Sequence, residues 1–486
     1  MRNNFCRVPV PLSRSRADQR IAVLADSDTR WKWGALTARR LAPSEGSAGH
    51  RTTGYLLRGR ATPTARQLGE AGVGADAAPV EVTCAEFLAE LGRRRYDVVV
   101  LALVGGAVQA VLHGARALWP EPARRPVFVT GYVGVVYEKL ADGLLLRHGA
   151  DLVLANSRHD AERFRAVYGG VGADPDAVTE TALPFLDGAP HEPARAGAHR
   201  VVFAVQPSVP EGRADRAYLL GRAAGHARLH PDREVLVKLR SRPGEHTTHL
   251  EEHPYQRLAE RLPGGLPPNL RLAYGHMGEV LDTTDLLVTV SSTAALEALH
   301  RGIPTAVLTD LGIRESLGNQ HFLGSGCLAS WDQLDAGLLP RGNPAWLSSH
   351  GVPPPDRRNP SDGTGATWPP ASRADRPPAP ADGRPAGPDP ADPYAPARER
   401  VARLLEREWL APVAPYYTLE TAPGYLPGIL ARQHLAPDGT PLPGALPRGE
   451  SAVRRWVRGR LREAARGAYR HGVQRVAPAI RRLGDL

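Results

Sequence analysis

The sequence is poor in cysteine, which excludes two common ways of stabilising or equipping a fold. Its three cysteines, Cys6, Cys84 and Cys327, lie far apart in a chain of 486 residues. They can form neither a disulfide framework nor a C-x-x-C metal site. Sparse cysteine suits a reducing compartment, so the sequence predicts a cytoplasmic protein without structural disulfides.

Long apolar runs are also missing. No stretch approaches the roughly 18 consecutive apolar residues of a membrane span, and the first residues hold arginines but no apolar core. We therefore expect neither a spanning helix nor a secretory signal. Proline and glycine, at 46 and 50 residues, stay below the roughly 25 % that is typical of low-complexity chains, so their excess is local.

The positive charge is concentrated at one end of the chain. The formal net charge is +10, and residues 451–486 hold ten arginines against two acidic residues. The rest of the chain is nearly neutral, whereas a protein that binds along nucleic acid spreads basic residues over a folded face. We therefore expect no nucleic-acid partner.

Short apolar runs alternate with helical patterns in two successive series. The first occupies residues 20–186 and opens with RIAVLADSD at Arg20–Asp28, and the second occupies residues 200–339. A polar linker at 187–199 separates them. Strands separated by helices are typical of parallel sheets with helices on both faces. The sequence predicts an α/β protein with two Rossmann-like domains that face a central cleft.

Four further segments flank or follow these domains. Residues 1–19 form an N-terminal extension, and residues 340–396 contain 16 of the 46 prolines, which predicts a disordered segment. Residues 397–450 read as a helix and a Pro/Tyr-rich region. In residues 451–486, apolar residues recur every three or four positions among arginines, which predicts a basic amphipathic helix. Such a helix lies on an anionic membrane surface or packs on its own protein.

The stretch DLLVTVSSTAALEALHRGIPTAVL, residues 285–308, carries the most informative motif. A predicted strand leads through Ser291, Ser292 and Thr293 directly into a helix, so hydroxyls and free backbone N–H groups are expected to face the cleft. A helix N-terminus of this kind favours phosphate. The alternative is plain N-capping, which explains one hydroxyl but not three in succession.

A second motif is basic. Lys238, Arg240 and Arg242 alternate at the end of the predicted strand in VLVKLRSRPGE, which places them on one face, where they could clamp a diphosphate. The histidines that follow match no common zinc spacing, so we expect no metal site.

A third motif, Asp26-Ser27-Asp28, follows the first predicted strand. A carboxylate at this position faces the cleft and could act as a general base toward a hydroxyl group. The alternative is capping of the following helix, which explains Asp28 better than Asp26. The same letters resemble the DxD metal motif of single-Rossmann glycosyltransferases, but that motif lies deeper in those domains, so the position here argues against a metal role.

At these residues the sequence resembles two-Rossmann, or GT-B, glycosyltransferases. The segment VSSTAALEALHRGIPTAVL is similar to the donor-binding stretch of capsule-type, Kdo-type and sialyltransferase-like bacterial enzymes. The opening ADSDTRWKWGALTARRL most closely resembles a bacterial family whose glycosyltransferase chemistry is itself inferred. The resemblance covers about residues 20–330.

The resemblance implies roles for individual residues. Asp26 or Asp28 takes the position of the base, and Ser291 and Ser292 take the position that holds the donor phosphate. A His-Pro pair is expected at the end of the basic strand, but Arg242 and Pro243 stand there. Arg242 is then the residue that supplies the charge.

Together these observations predict a metal-independent, cofactor-free glycosyltransferase. It would move a sugar from a nucleotide-activated donor, for which a CMP-linked, sialic-acid-like or Kdo-like sugar is one candidate, to a cell-envelope glycan or lipid-linked acceptor. Further donor-site candidates are Gln206, Ser208 and Glu297. Residues 451–486 would place the enzyme at the anionic inner face of the membrane. The alternatives are a nucleotide-sugar epimerase and a non-catalytic glycan- or nucleotide-binding protein.

Overall fold

The structure is a computed structural model, and it describes residues 19–42, 51–59, 61–73, 78–134, 139–192, 199–242, 245, 251–353 and 392–446. Several predicted segments lie wholly or mostly outside the described residues: the N-terminal extension, the middle of the linker, most of the Pro-rich segment and the basic amphipathic helix at 451–486.

In the residues that the structure describes, seven parallel strands form the first sheet. They are β1 (Arg20–Ala25), β2 (Arg51–Leu57), β3 (Val80–Val82), β4 (Val98–Ala102), β5 (Val127–Gly131), β6 (Leu152–Ala155) and β7 (Val178–Glu180). Their order is β3-β2-β1-β4-β5-β6-β7. The central strands are almost wholly apolar because helices cover both faces. The strand order reverses between β1 and β4, and ligands bind at such a switch point in open parallel sheets.

Six α-helices connect these strands in the part of the chain that the structure describes. They are α1 (Asp28–Leu41), α2 (Ala65–Glu70), α3 (Cys84–Arg93), α4 (Gly105–Leu118), α5 (Leu140–Leu145) and α6 (Arg158–Gly170). Ser27 is the N-cap of α1, because its side chain accepts from the backbone N–H of Arg30. The capping alternative for Asp28 is therefore wrong: the cap is the serine before it, and Asp28 is the first residue of the helix.

The second sheet has six parallel strands within the described ranges, in the order β10-β9-β8-β11-β12-β13. They are β8 (Arg200–Ala204), β9 (Glu234–Lys238), β10 (Leu270–Ala273), β11 (Leu286–Thr289), β12 (Thr305–Leu308) and β13 (Leu328–Ala329). Its helices are α7 (Arg213–Leu229), α8 (Tyr255–Ala259), α9 (Met277–Leu281), α10 (Ala294–His300), α11 (Trp331–Asp335) and α12 (Pro344–Ser349).

After the second domain the chain returns to the first. Helix α13 (Ala395–Leu405) contacts α1, β5 and β7, and α14 (Leu426–Arg432) contacts α4. Between them Leu410 pairs with Ala123, and the Arg125 side chain donates to the Ala411 carbonyl at 2.7 Å. Residues 392–446 therefore complete the first domain.

The predicted fold class, two Rossmann-like α/β domains, is confirmed. The sequence pattern missed β3, β7 and β13, which have three residues or fewer and show no periodicity. Helix α12 lies inside the segment predicted to be disordered, because Trp346 is buried and anchors it. In the described part of the chain, no helix is both long and apolar enough to cross a membrane.

Candidate active site

Side chains that follow the carboxyl ends of the two sheets contact each other and join the domains. Helices α1 and α2 contribute from the first domain, and the loop after β9 and helix α10 contribute from the second. Among the described residues, three ion pairs cross the junction: Asp28 with Arg240, Lys32 with Glu297, and Arg66 with Glu245. The predicted cleft is thus a junction rich in charge.

Asp26 is held within the first domain. Its Oδ1 lies 2.9 Å from the Arg30 guanidinium, one turn into α1, and its Oδ2 accepts the backbone N–H of Val104 at 2.9 Å. Since Val104 precedes α4, Asp26 ties the start of α1 to the start of α4. Both carboxylate oxygens therefore have partners in the same domain.

Asp28 instead faces the second domain. Its Oδ1 lies 2.5 Å from Nη2 of Arg240, and the same nitrogen donates to the Thr29 hydroxyl. Burial raises the pKa of Asp28, but the charge and hydrogen bond of Arg240, with help from Thr29, outweigh burial and lower it below its usual value. Asp28 is therefore a carboxylate neutralised across the junction.

Three basic residues at the end of β9 and in the loop after it, Lys238, Arg240 and Arg242, have three different environments. The strand ends at Lys238, so its alternation does not extend to Arg240 and Arg242, and the prediction of a single basic face is wrong. Lys238 is buried and donates to the Leu239 carbonyl at 2.7 Å, and burial lowers its pKa to about 8. Arg242 is exposed and lies over the Tyr274 ring, 5.4 Å from the ring centroid.

Ser291 is buried and holds the loop before α10 in place. Its hydroxyl donates to the Leu317 carbonyl at 2.5 Å, and its backbone N–H donates to Oε1 of Gln206 at 3.0 Å. The backbone N–H groups of Ser292 and Ala294 also have partners inside the protein. The predicted row of free N–H groups is thus wrong for these three residues, because the loop bonds to itself and to Gln206.

Two hydroxyls of the motif are less buried. Ser292 Oγ accepts the N–H of Ala294 at 3.2 Å, and the Thr293 side chain makes no capping bond. Thr293 Oγ1 lies near Gly134 of the first domain, 3.3 Å from where a side chain on that glycine would begin. Thr293 therefore lies at the junction, on the side formed by the second domain. Ser208 is half-buried in the loop after β8.

Glu297, another donor-site candidate, is buried, with 8 % of its surface exposed. Burial raises its pKa, and the Lys32 ammonium group, 3.5 Å away, opposes this shift. Lys32 also lies over the Phe185 ring, 5.0 Å from its centroid. Glu297 thus binds the first domain, not open solvent.

Sequence reasoning missed the partners Lys32, Arg66 and Glu245. Arg66 Nε donates to Glu245 Oε1 at 2.6 Å, and Glu245 also accepts the N–H of Arg242 at 2.8 Å. A signal existed for Lys32, because it stands between two tryptophans in the most apolar part of α1. No local signal marks Arg66 or Glu245, since their contact joins residues 179 positions apart.

One side-chain cluster of the described residues has the geometry to hold a metal ion. The ligand atoms of His226, His230 and Asp335 lie within 4.8 Å of one another. However, His226 Nδ1 already bonds to Asp335 at 2.7 Å, and the guanidinium groups of Arg222 and Arg233 contact the same atoms or their neighbours. The cluster lies at the C-terminal end of α7, on the far side of the sheet from the interdomain junction.

Two parallel α/β domains that meet at the carboxyl ends of their strands define the two-Rossmann, GT-B class of architecture. The chain belongs to the family described as "Putative glycosyltransferase (DUF6716)", whose sequence model matches residues 21–363. The resemblance drawn from the Asp26 and Ser291 motifs is thereby confirmed. Among curated proteins, none matches the sequence.

Solved structures with similar folds share little sequence with this chain. MnaA of S. aureus, solved with UDP, is 11 % identical with a TM-score of 0.44, over 69 % of this chain and 91 % of its own. HepE of Anabaena, in complex with UDP-glucose, is 14 % identical with a TM-score of 0.40, over 65 % and 88 %. The UDP-GlcNAc 2-epimerase of Neisseria meningitidis, bound to UDP-GlcNAc, is 11 % identical with a TM-score of 0.44, over 70 % and 95 %. Sequence identities and TM-scores this low do not assign a ligand to this chain.

Proposed function

We propose that this protein is a glycosyltransferase that moves a sugar from a nucleotide-activated donor to a glycan or lipid-linked acceptor of the cell envelope. The observation that carries the proposal is the contact of Asp28 with Arg240. It joins the carboxylate expected to be the base to an arginine expected to hold the leaving phosphate. Group transfer between two substrates requires these two functions at one place.

Asp28 is the general base of the proposed reaction. A donor phosphate offers more negative charge and more acceptor oxygens than one carboxylate, so it competes for the guanidinium group of Arg240. Once Arg240 turns to the phosphate, the pKa of Asp28 is no longer held down, and the carboxylate can accept the proton of an acceptor hydroxyl. Asp26 positions the loop through Arg30 and Val104.

The transfer itself is a direct displacement. The acceptor oxygen forms a bond to the anomeric carbon, the bond from that carbon to the donor phosphate breaks, and its electron pair leaves with the phosphate. Asp28 takes the proton of the acceptor. Arg240, which lies beside Asp28, stabilises the negative charge that develops on the phosphate, and Lys238 and Arg242 add positive charge from the end of β9 and the loop after it, so the proposed step uses no metal ion.

Other predicted site residues take supporting roles in this proposal. Ser292 and Thr293 offer hydroxyls to the phosphate, and Ser208 lies along the same loops. Gln206 and Ser291 hold the loop by the bonds they make to each other. Glu297 keeps α10 docked on Lys32.

The first test is a thermal-shift panel with CMP, CDP, UDP, GDP and dTDP. A ligand that binds only the native state raises apparent stability by mass action, so we expect one nucleotide to raise the Tm. The shift should shrink in Arg240→Gln. It should persist in Arg271→Gln, which removes an exposed arginine of the same domain that pairs with Glu234. The absence of a shift with any nucleotide would contradict the proposal, and a shift with CMP would support a sialic-acid-like or Kdo-like donor.

The proposed site of action is the anionic inner face of the membrane, with residues 451–486 as the contact. Each basic residue near such a surface contributes about 1 kcal/mol. Removal of residues 451–486 should release the protein from vesicles that contain anionic lipid. Undiminished vesicle binding by the truncated protein would refute the membrane role.

A further inference from the structure

Two tyrosines and a carboxylate form a cluster at the carboxyl end of the first sheet. The phenol of Tyr417 donates to Oδ1 of Asp142 at 2.9 Å, and the phenol of Tyr425 donates to Oδ2 of Asp142 at 3.2 Å. The two rings meet edge to face, with centroids 5.2 Å apart. Burial and the neighbouring Asp142 raise the pKa of both phenols, so both stay protonated as donors. The carboxylate thus fixes the orientation of both rings.

The cluster lies beside the loop that holds Asp26. Ile429, one turn after Tyr425 in α14, packs against Gly106 at the start of α4. Val104, two residues before Gly106, donates its N–H to Asp26. The tyrosines are therefore linked through Ile429 and the start of α4 to the loop that holds Asp26, on the first-domain side of the junction.

The cluster presents apolar surface to solvent. Tyr425 is 43 % exposed, and Leu419, two residues after Tyr417, is 44 % exposed. Asp142 is half-buried, and a carboxylate has about four lone-pair positions, of which the two phenols use part. An open aromatic face beside a carboxylate with spare acceptor capacity matches a sugar ring, which offers an apolar C–H face and donating hydroxyls.

We infer that Tyr417, Tyr425 and Asp142 form a subsite for a neutral sugar ring of the acceptor. The negative charge of Asp142 disfavours an anionic sugar there. The cluster lies on the first domain, whereas the residues proposed to bind the donor phosphate lie on the second. The assignment of this sugar to the acceptor therefore rests on the proposed function. The binding of a sugar to the cluster does not depend on that assignment.

The binding test uses the full chain and three neutral probes: maltotriose, cellotriose and chitotriose. Saturation-transfer NMR should detect at least one of them, and Tyr425→Ala should weaken its binding by about tenfold, which is the upper range for an aromatic contact. The matched control is Tyr218→Ala, since Tyr218 is also 43 % exposed and donates to a carboxylate, that of Asp310, on the second domain. No binding by wild type, or equal loss in both variants, would overturn the subsite.

A transfer assay then separates the subsite from the proposed function. In Tyr425→Ala we expect KM for the acceptor to rise about tenfold, while the nucleotide-induced thermal shift stays unchanged. If a probe binds wild type through Tyr425 but no sugar is transferred, the subsite stands and the transferase proposal fails. If transfer occurs and KM is unaltered in Tyr425→Ala, the subsite is wrong and the transferase proposal stands.

Discussion

At the scale of single residues, Lys238 shows how burial sets a charge. It lies at the end of β9 with 6 % of its surface exposed, and burial lowers its pKa to about 8. A lysine with this pKa loses its proton as the pH rises through about 8, so the attraction for phosphate that we propose for Lys238 would weaken above that pH. Arginine keeps its charge throughout this range.

We therefore predict that nucleotide affinity falls as the pH rises from 7 to 9. The affinity of wild type and Lys238→Arg should be measured by titration at several pH values in this range. The variant should show a flatter profile. Parallel profiles for the two proteins would show that Lys238 does not carry the pH dependence.

Residue identity alone predicted part of the candidate site. Asp28 and Arg240 are both candidate site residues because each follows a predicted strand, and the two side chains form an ion pair in the structure. Ser291 is also a candidate, but its burial depends on Gln206 and Leu317, which lie 85 and 26 positions away. A pattern over neighbouring residues carries no information about such distant partners. It therefore predicts that a hydroxyl lies before α10, but not that the Ser291 hydroxyl is already hydrogen-bonded inside the protein.

At the scale of elements, the packing of α1 on the sheet depends on Gly34. A Cβ added at Gly34 would lie 2.8 Å from Ala102 and from Val23. The helix therefore approaches β1 and β4 more closely than any side chain would allow. Glycine is a poor helix former, so this position is set by packing, not by helix propensity.

We predict that Gly34→Ala lowers the free energy of unfolding by about 1–3 kcal/mol, the usual cost of overpacking. Gly225→Ala in α7 is the matched control, because nothing lies within 4 Å of the added Cβ. That control should be neutral or stabilising by up to about 1 kcal/mol. Urea unfolding of both variants checks the prediction, and equal effects of the two substitutions would contradict it.

Sequence patterns predict the secondary-structure elements better than they predict the contacts of individual site residues. The long apolar strands β1, β4, β5 and β6 follow the predicted runs because helices cover them on both faces. The return of α13 and α14 to the first domain was not predicted. The apolar faces of these helices show that they are buried, but not against which domain. The Pro-rich segment before them has no sequence pattern that shows where the chain leads.

At the scale of the whole molecule, a histidine cluster joins the domains at a second place. His159 of α6 stacks on His350, with centroids 4.5 Å apart, and His321 and Trp346 pack against His350 from the second domain. Burial lowers the pKa of His321 to about 3 and of His350 to about 4, and the charge of Arg163 adds to both shifts. The cluster is therefore neutral in the folded protein.

This cluster predicts a loss of stability in acid. In the unfolded chain these histidines take up protons near pH 6.5, and in the folded protein they do so only at lower pH. Their contribution to the free energy of unfolding is therefore complete above about pH 6.5 and falls as the pH drops toward 4. From pH 7 to pH 5, His321→Phe should lose less unfolding free energy than wild type. His434→Asn, at an exposed position, should behave like wild type. An equal fall in His321→Phe would contradict the account.

The most direct test of the proposed function is product analysis with the nucleotide sugar selected by the thermal-shift panel and a cell-envelope glycan or lipid extract as acceptor. Wild type should release nucleotide only as acceptor is glycosylated. Asp28→Asn should bind nucleotide normally but transfer at least about a hundredfold more slowly, the usual loss of a general base. The matched control Asp332→Asn, at an 84 % exposed carboxylate, should transfer normally. Normal transfer by Asp28→Asn, or isomerisation of the nucleotide sugar without acceptor, would contradict the account.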